Sequence, residues 1–167
     1  MNWGDLLKGS WLEKAGVDKA KLKISFGFAE VELETSPTDA DADAAWALYV
    51  ELSTRITTQA LPMDAGDEAT ALKSVYGIFA LTRDILKAPG GRKARRFAKV
   101  AITVLNEVIR PFTAKWHRAE KAGAFADPSQ CQDFRIELAS LQTWLSDYAN
   151  VLANIAGVPD LAEMRQP

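Results

Sequence analysis

FRIELASLQTWLSDYANVLANI, residues 134–155, is the stretch that decides the fold. Phe134, Leu138, Leu141, Leu145, Tyr148, Leu152 and Ile155 step by four and three in alternation, which lines up one apolar stripe along a helix of about six turns. Trp144 and Val151 widen the stripe, and Gly157-Val158-Pro159 supplies a helix stop. A stripe of that length has to be buried against other helices, so the rest of the chain is read for partners. Residues 129–156 are therefore the last helix of a packed set.

Working back toward the N-terminus, Gly123 to Pro128, Pro89-Gly90-Gly91, Gly66 and Pro62 punctuate three further helical stretches, about 91–121, 66–88 and 40–61. Residues 91–121 carry a wide apolar arc: Phe97, Ala101, Val104, Leu105, Val108, Ile109, Phe112 and Trp116. Residues 66–88 repeat the helical step with Leu72, Tyr76, Phe79, Arg83 and Leu86. Four long helices with short links predict an antiparallel four-helix bundle over 40–156. Ser36-Pro37-Thr38-Asp39 reads as a loop, and Asp41 and Asp43 place negative charge where the next helix dipole favours it. Between 21 and 35, Leu22, Ile24, Phe26 and Phe28 alternate with polar or small residues. Val31 and Leu33 continue the alternation after a slip, which predicts a short β-hairpin about Gly27–Glu30. Residues 1–16 are expected to form an amphipathic helix, with Trp3, Leu7 and Trp11 recurring every four residues. The expected fold is mainly α, a single domain over 1–167.

Composition narrows the functional classes. At 48% hydrophobic and 25% charged residues the chain is of ordinary globular make-up rather than disordered. A net charge of -2 provides no global field toward nucleic acid. Cys131 and His117 are the only cysteine and histidine, which leaves no Cys/His zinc cluster; no metal or cofactor is expected. No apolar run approaches the ~20 residues of a bilayer span, and the N-terminus lacks the basic start and apolar stretch of a signal peptide. The expected compartment is the cytoplasm.

Several polar residues depart from a plain bundle. Arg83 falls in the expected core register of its helix, so it must be paired or reach solvent; Glu51 is a candidate partner, though it also precedes Arg55 by four. Asn106, Arg110, Thr113 and His117 step by four, three and four along one edge of helix 91–121, and Arg92, Arg95 and Lys99 continue that edge. Pro111 interrupts the strip and should kink the helix, freeing a carbonyl. Asn106, Arg110 and His117, joined by Arg83, are the candidate binding site for an anion or a peptide. The competing reading is a hydrogen-bonded bundle edge. Gly90-Gly91-Arg92-Lys93-Ala94-Arg95-Arg96 is the one dense basic run. Its glycine pair ahead of a helix start can hold a phosphate, or the run is a solvated loop. No serine or cysteine near His117 suggests a nucleophile, so an enzyme ranks behind a binding protein.

The blocks YVELSTRI (49–56), ALKSVY (71–76), TRDIL (82–86), VLNEVIRPF (104–112) and KWH (115–117) carry a resemblance. They look like the blocks of a group of uncharacterised bacterial proteins, many actinobacterial, which share them in this order over roughly residues 40–160. There the tryptophan–histidine pair is usually followed by proline, where this chain has Arg118. The resemblance implies a bacterial helical domain and no established activity; a role in bacterial conflict or phage defence is the functional expectation attached to it. The reading that follows is a non-catalytic module that binds a protein partner or a second copy of itself, with Trp3, Leu7 and Trp11 as a further interface. The alternatives are a sensor of small anions or nucleotides through Arg110 and His117, and membrane-surface association through the first helix, where Lys8 and Lys14 flank the tryptophans.

Overall fold

The computed structural model describes residues 22–25, 30–33 and 36–158. The expected N-terminal helix, with Trp3, Leu7 and Trp11, lies outside these residues. Strand β1 (Leu22–Ser25) pairs antiparallel with β2 (Glu30–Leu33), with Leu22 opposite Leu33 and Ile24 opposite Val31. Residues 26–29 between them also lie outside the described set. Everything from Asp39 to Ala156 is mainly helical.

Helix α1 (Asp39–Ser53) opens on a capping box. The Thr38 hydroxyl accepts from the Asp41 amide, and the Asp41 carboxylate accepts from the Thr38 amide. The helix ends well short of the expected boundary at 61. The cause is a run of hydroxyls. Thr54 donates to the Val50 carbonyl at 2.8 Å, and Thr57 and Thr58 both donate to that of Leu52 at 3.0 and 2.8 Å. The last carbonyls of the helix are thereby satisfied without another turn. Gln142 then pins the segment beyond, donating to the carbonyls of Ile56 and Gln59 at 2.7 and 2.6 Å.

Helix α2 (Glu68–Lys87) starts at Asp67, whose side chain accepts from the Thr70 amide at 2.9 Å. Its buried face is Ala71, Leu72, Val75, Ile78, Phe79 and Thr82. The expected seam through Tyr76 and Arg83 is thus rotated. Tyr76 is 51% exposed. Arg83 is at the surface, where its charge keeps its hydration. Glu51 is not the partner of Arg83; it binds Arg55 at 2.7 Å, the ordinary surface pair.

The expected helix over 91–121 is divided. Gly91–Lys93 form one 3₁₀ turn, and α3 (Arg95–Thr103) begins only after Ala94. Gly90 has φ +90°, and a Cβ on Gly91 would run into the carbonyl oxygens of Leu86 and Ile85. The glycine pair is what this tight turn requires. Val104–Ile109 is a π-helical segment, and α4 (Arg110–Lys121) continues directly from it. Helix α5 (Pro128–Ala156) is capped by Asp127, has Pro128 at its first position, and stops at Gly157 with φ +68°, the arrangement expected of both residues at helix ends.

All seven residues of the α5 stripe are buried, and α1 lies along this helix. The apolar arc from Phe97 to Trp116 is buried too and meets Phe134 through Phe112 and Trp116. Leu145 is fully enclosed. Leu145→Ala is expected to cost about 2–5 kcal/mol in urea unfolding, from lost transfer energy plus the cavity left behind. A loss under about 0.5 kcal/mol would mean that this face of α5 is not the core. No helix among the described residues is long and apolar enough to cross a membrane.

Candidate functional site

The π-helical segment sets the azimuth of the side chains that follow it. The Arg110 amide donates to the Leu105 carbonyl, five residues back, which is the π pattern. Pro111 sits at the start of α4, where it interrupts least. Where a proline kink was expected, the structure has a π-helical segment ahead of the proline. Such segments recur at functional positions in helices, which makes the neighbouring side chains worth following.

Arg110 is fixed from two sides. Its Nε and one terminal nitrogen both donate to Asn106 Oδ1, at 3.1 and 3.0 Å. Its guanidinium carbon lies 5.0 Å from the centre of the Phe79 ring of α2, a cation–π contact. Phe79 leans on Tyr76 at 5.6 Å, and Tyr76 meets His117 edge to face at 4.9 Å. Asn106, Arg110 and His117 are thus brought into one ribbon, and α2 supplies two aromatic rings to hold it. The pairing rises along α2 as it falls along α4, from Tyr76–His117 to Phe79–Arg110. Arg83 follows Phe79 by four residues on α2. It is exposed and makes no hydrogen bond or ion pair among the described residues. Thr113 belongs elsewhere: it is buried, and its hydroxyl donates back to the Ile109 carbonyl at 3.0 Å. Sequence reasoning missed Tyr76 as a site residue, because its spacing from Leu72 and Phe79 read as core.

The ribbon and the Pro111 surface are separate. A shallow, mainly apolar recess of about 370 Å³ beside Pro111 is lined by Glu107, Val108, Leu141 and Trp144, so it faces α5 and not α2. Arg110 and His117 are not among its walls.

At the basic run, two backbone donors at the start of α3 are taken from within the chain. The Asp41 carboxylate accepts from the amides of Arg96 and Phe97 at 2.9 and 3.1 Å, so the start of α3 already holds an anion from within the chain. Arg96 is half-buried, 3.9 Å from the same carboxylate, while Arg92, Lys93 and Arg95 are exposed.

The Trp116–His117 pair divides between two neighbours. Trp116 is buried, packs on Phe125 and Phe134, and donates its indole N–H to Glu137 at 3.0 Å. Lys115 also binds Glu137 and lies 5.0 Å from the Trp116 ring centre. His117 turns to α2 instead. Burial, and then the Glu68 carboxylate nearby, push the Cys131 thiol up, so it is not an activated thiolate. No group of three or more histidine, cysteine or carboxylate side chains among the described residues could hold a metal ion.

No protein-family model, curated protein or solved structure matches this chain. The reading of its function therefore stands on the geometry above.

Proposed function

We propose that this chain is a non-catalytic interaction module, whose contact surface is the ribbon Tyr76, Arg110 and His117 with Asn106 and Arg83 at its end. One observation carries the reading: Tyr76 and Arg110 are exposed yet held in place, Arg110 by Asn106 and Phe79, Tyr76 by Phe79 and His117. Tyrosine and arginine are the side chains that dominate binding energy at protein interfaces, and a pre-ordered side chain loses less entropy on contact. The architecture behind the surface is an antiparallel bundle of the segments 39–53, 68–87, 95–121 and 128–156, with a short β-hairpin at its N-terminal side. The resemblance in the sequence blocks supports a bacterial origin, the single cysteine fits a reducing, cytoplasmic setting, and assembly in a conflict or phage-defence system fits a domain that recognises without catalysing.

A sensor of small anions is the second reading, supported by the free donors of Arg110. Spacing weighs against it. Arg110 and His117 are seven positions apart, about 10 Å along the helix, so one phosphate or carboxylate group reaches only one of them. An extended partner segment reaches both. The membrane-surface reading rests on Trp3, Lys8, Trp11 and Lys14, all outside the described residues.

The test is a photo-crosslinking amino acid placed at position 76 in cells. It should yield a discrete protein adduct that disappears when Arg110→Ala is added. The same reagent at exposed position 73 should yield little. Equal, diffuse labelling from both positions would refute the assignment.

A further inference from the structure

We infer that the segment this surface receives is acidic, its carboxylate binding the fork of Arg110 and its apolar side chains packing on Tyr76. The inference rests on the interaction reading above and names the chemistry of the partner.

A guanidinium has five N–H donors. In Arg110 one edge, two donors, is committed to Asn106, and one face lies over Phe79. The remaining donors include both hydrogens of the second terminal nitrogen, in the planar arrangement that matches a carboxylate. Arg55, Arg96 and Arg135 each meet a carboxylate of this chain. Arg83 and Arg110 meet none among the described residues, and Arg110 alone of the exposed arginines is fixed on an aromatic ring.

The stretch of chain that carries both arginines shares the sign. From Arg83 to Lys121 it has eleven lysines and arginines against three carboxylates, in a protein whose net charge is -2. Of the eleven, Arg96 and Lys115 meet a carboxylate among the described residues, Asp41 and Glu137. Asp84 follows Arg83 by one residue, about 100° further round its helix. Glu107 lines the recess toward α5, and Glu120 is half-buried beyond His117. None of the three neutralises Arg83 or Arg110. The positive field is thus left open to a partner of opposite charge. Nucleic acid is the weaker fit, because a phosphate backbone calls for a row of cations, and Tyr76, Asn106 and Phe79 occupy much of this ribbon.

The probe is a fluorescein-labelled peptide of roughly 15 residues, about four helical turns, with glutamate and leucine at helical spacing. Its counterpart carries glutamine for every glutamate. Fluorescence anisotropy should show the acidic peptide binding at least about tenfold more tightly than the glutamine version. Arg110→Ala should weaken it about tenfold and Arg110→Lys severalfold, since lysine keeps the charge and loses the fork. Arg95→Ala should stay within about twofold of wild type. Should Arg110→Ala lose its helical circular dichroism, Arg110→Lys and Tyr76→Ala carry the comparison. Equal binding of the two peptides overturns the inference, and so does absence of binding by wild type. Equal losses from Arg95→Ala and Arg110→Ala do the same. So does tighter binding of an oligothymidine of similar length, or self-association of wild type that Arg110→Ala abolishes, which would put a second copy on the seam. A crosslink at position 76 that survives while the acidic peptide fails leaves the interaction reading in place and removes only this one.

Discussion

Arg135→Met is expected to destabilise the protein by about 3–5 kcal/mol, the range for breaking one half of a largely buried ion pair. Arg135 and Glu68 are only 10% and 13% exposed at their side chains and approach to 2.6 Å. The same guanidinium donates to the carbonyls of Pro62 and Ala65, so one α5 side chain ties down both the start of α2 and the loop before it. Methionine fills the space of the stem but leaves Glu68 with its charge in a mostly dry place. The Cys131 thiol, pushed up by burial and by Glu68, lies within reach of the same charge. The double variant Glu68→Gln with Arg135→Met removes the stranded charge and should recover a good part of the loss. Urea unfolding of the four proteins in the cycle decides it. A single-variant loss under about 1 kcal/mol, or no recovery in the double variant, would show that the pair is solvated and that the loop is held by something else. Because Arg135 sets where α2 begins, its loss should also weaken the ribbon built on Tyr76 and Phe79.

How much of this was legible depended on whether the determining contact was local. The α5 stripe was readable because its steps of four and three average close to the helical repeat, so a straight helix keeps it on one face. The same arithmetic, applied to Val104, Val108, Phe112 and Trp116, would have exposed the π segment. Steps of four alone run ahead of the α-helical turn, by roughly one residue over three turns. The inserted residue within Val104–Ile109 absorbs that excess. Pro111 drew attention to the part of the helix where the π segment lies, but the recess beside it faces α5 while Arg110 faces α2. The face of α2 was misread because Leu72, Tyr76, Phe79 and Arg83 fit a helical period as well as Leu72, Val75, Phe79 and Thr82 do. Only the cost of burying a guanidinium separates the two sets. The end of α1 depended on three threonine hydroxyls and on Gln142, which comes from the far end of the chain, and no periodicity carries that information. The mainly helical class, the α5 core, the strip of Asn106, Arg110 and His117 and the polar character of its edge were visible in the sequence. Tyr76 was not, and neither was the carboxylate that closes the basic run.

That carboxylate carries the second large effect. Asp41→Asn should lower stability by about 3–5 kcal/mol at neutral pH, the sum of a lost capping contribution and of weakened charge-assisted bonds. Asp41 is 1% exposed and caps two helices at once: its own, through Thr38, and α3, through the amides of Arg96 and Phe97. Burial pushes its carboxyl upward, but the hydrogen bonds from Thr38, Phe97 and Arg96 outweigh that and hold it below the ordinary aspartate value. A folded pKa below the unfolded one means that the unfolded chain takes up the proton first as pH falls. The stabilisation is therefore fully present above the ordinary value of about 3.9 and is lost as pH drops through the lower folded value. Asparagine has no such titration, so the gap between wild type and Asp41→Asn should be widest near neutrality and narrow in acid. Urea unfolding at a series of pH values measures that gap. A gap that stays constant down through the aspartate range would mean that shape and not charge makes Asp41 matter.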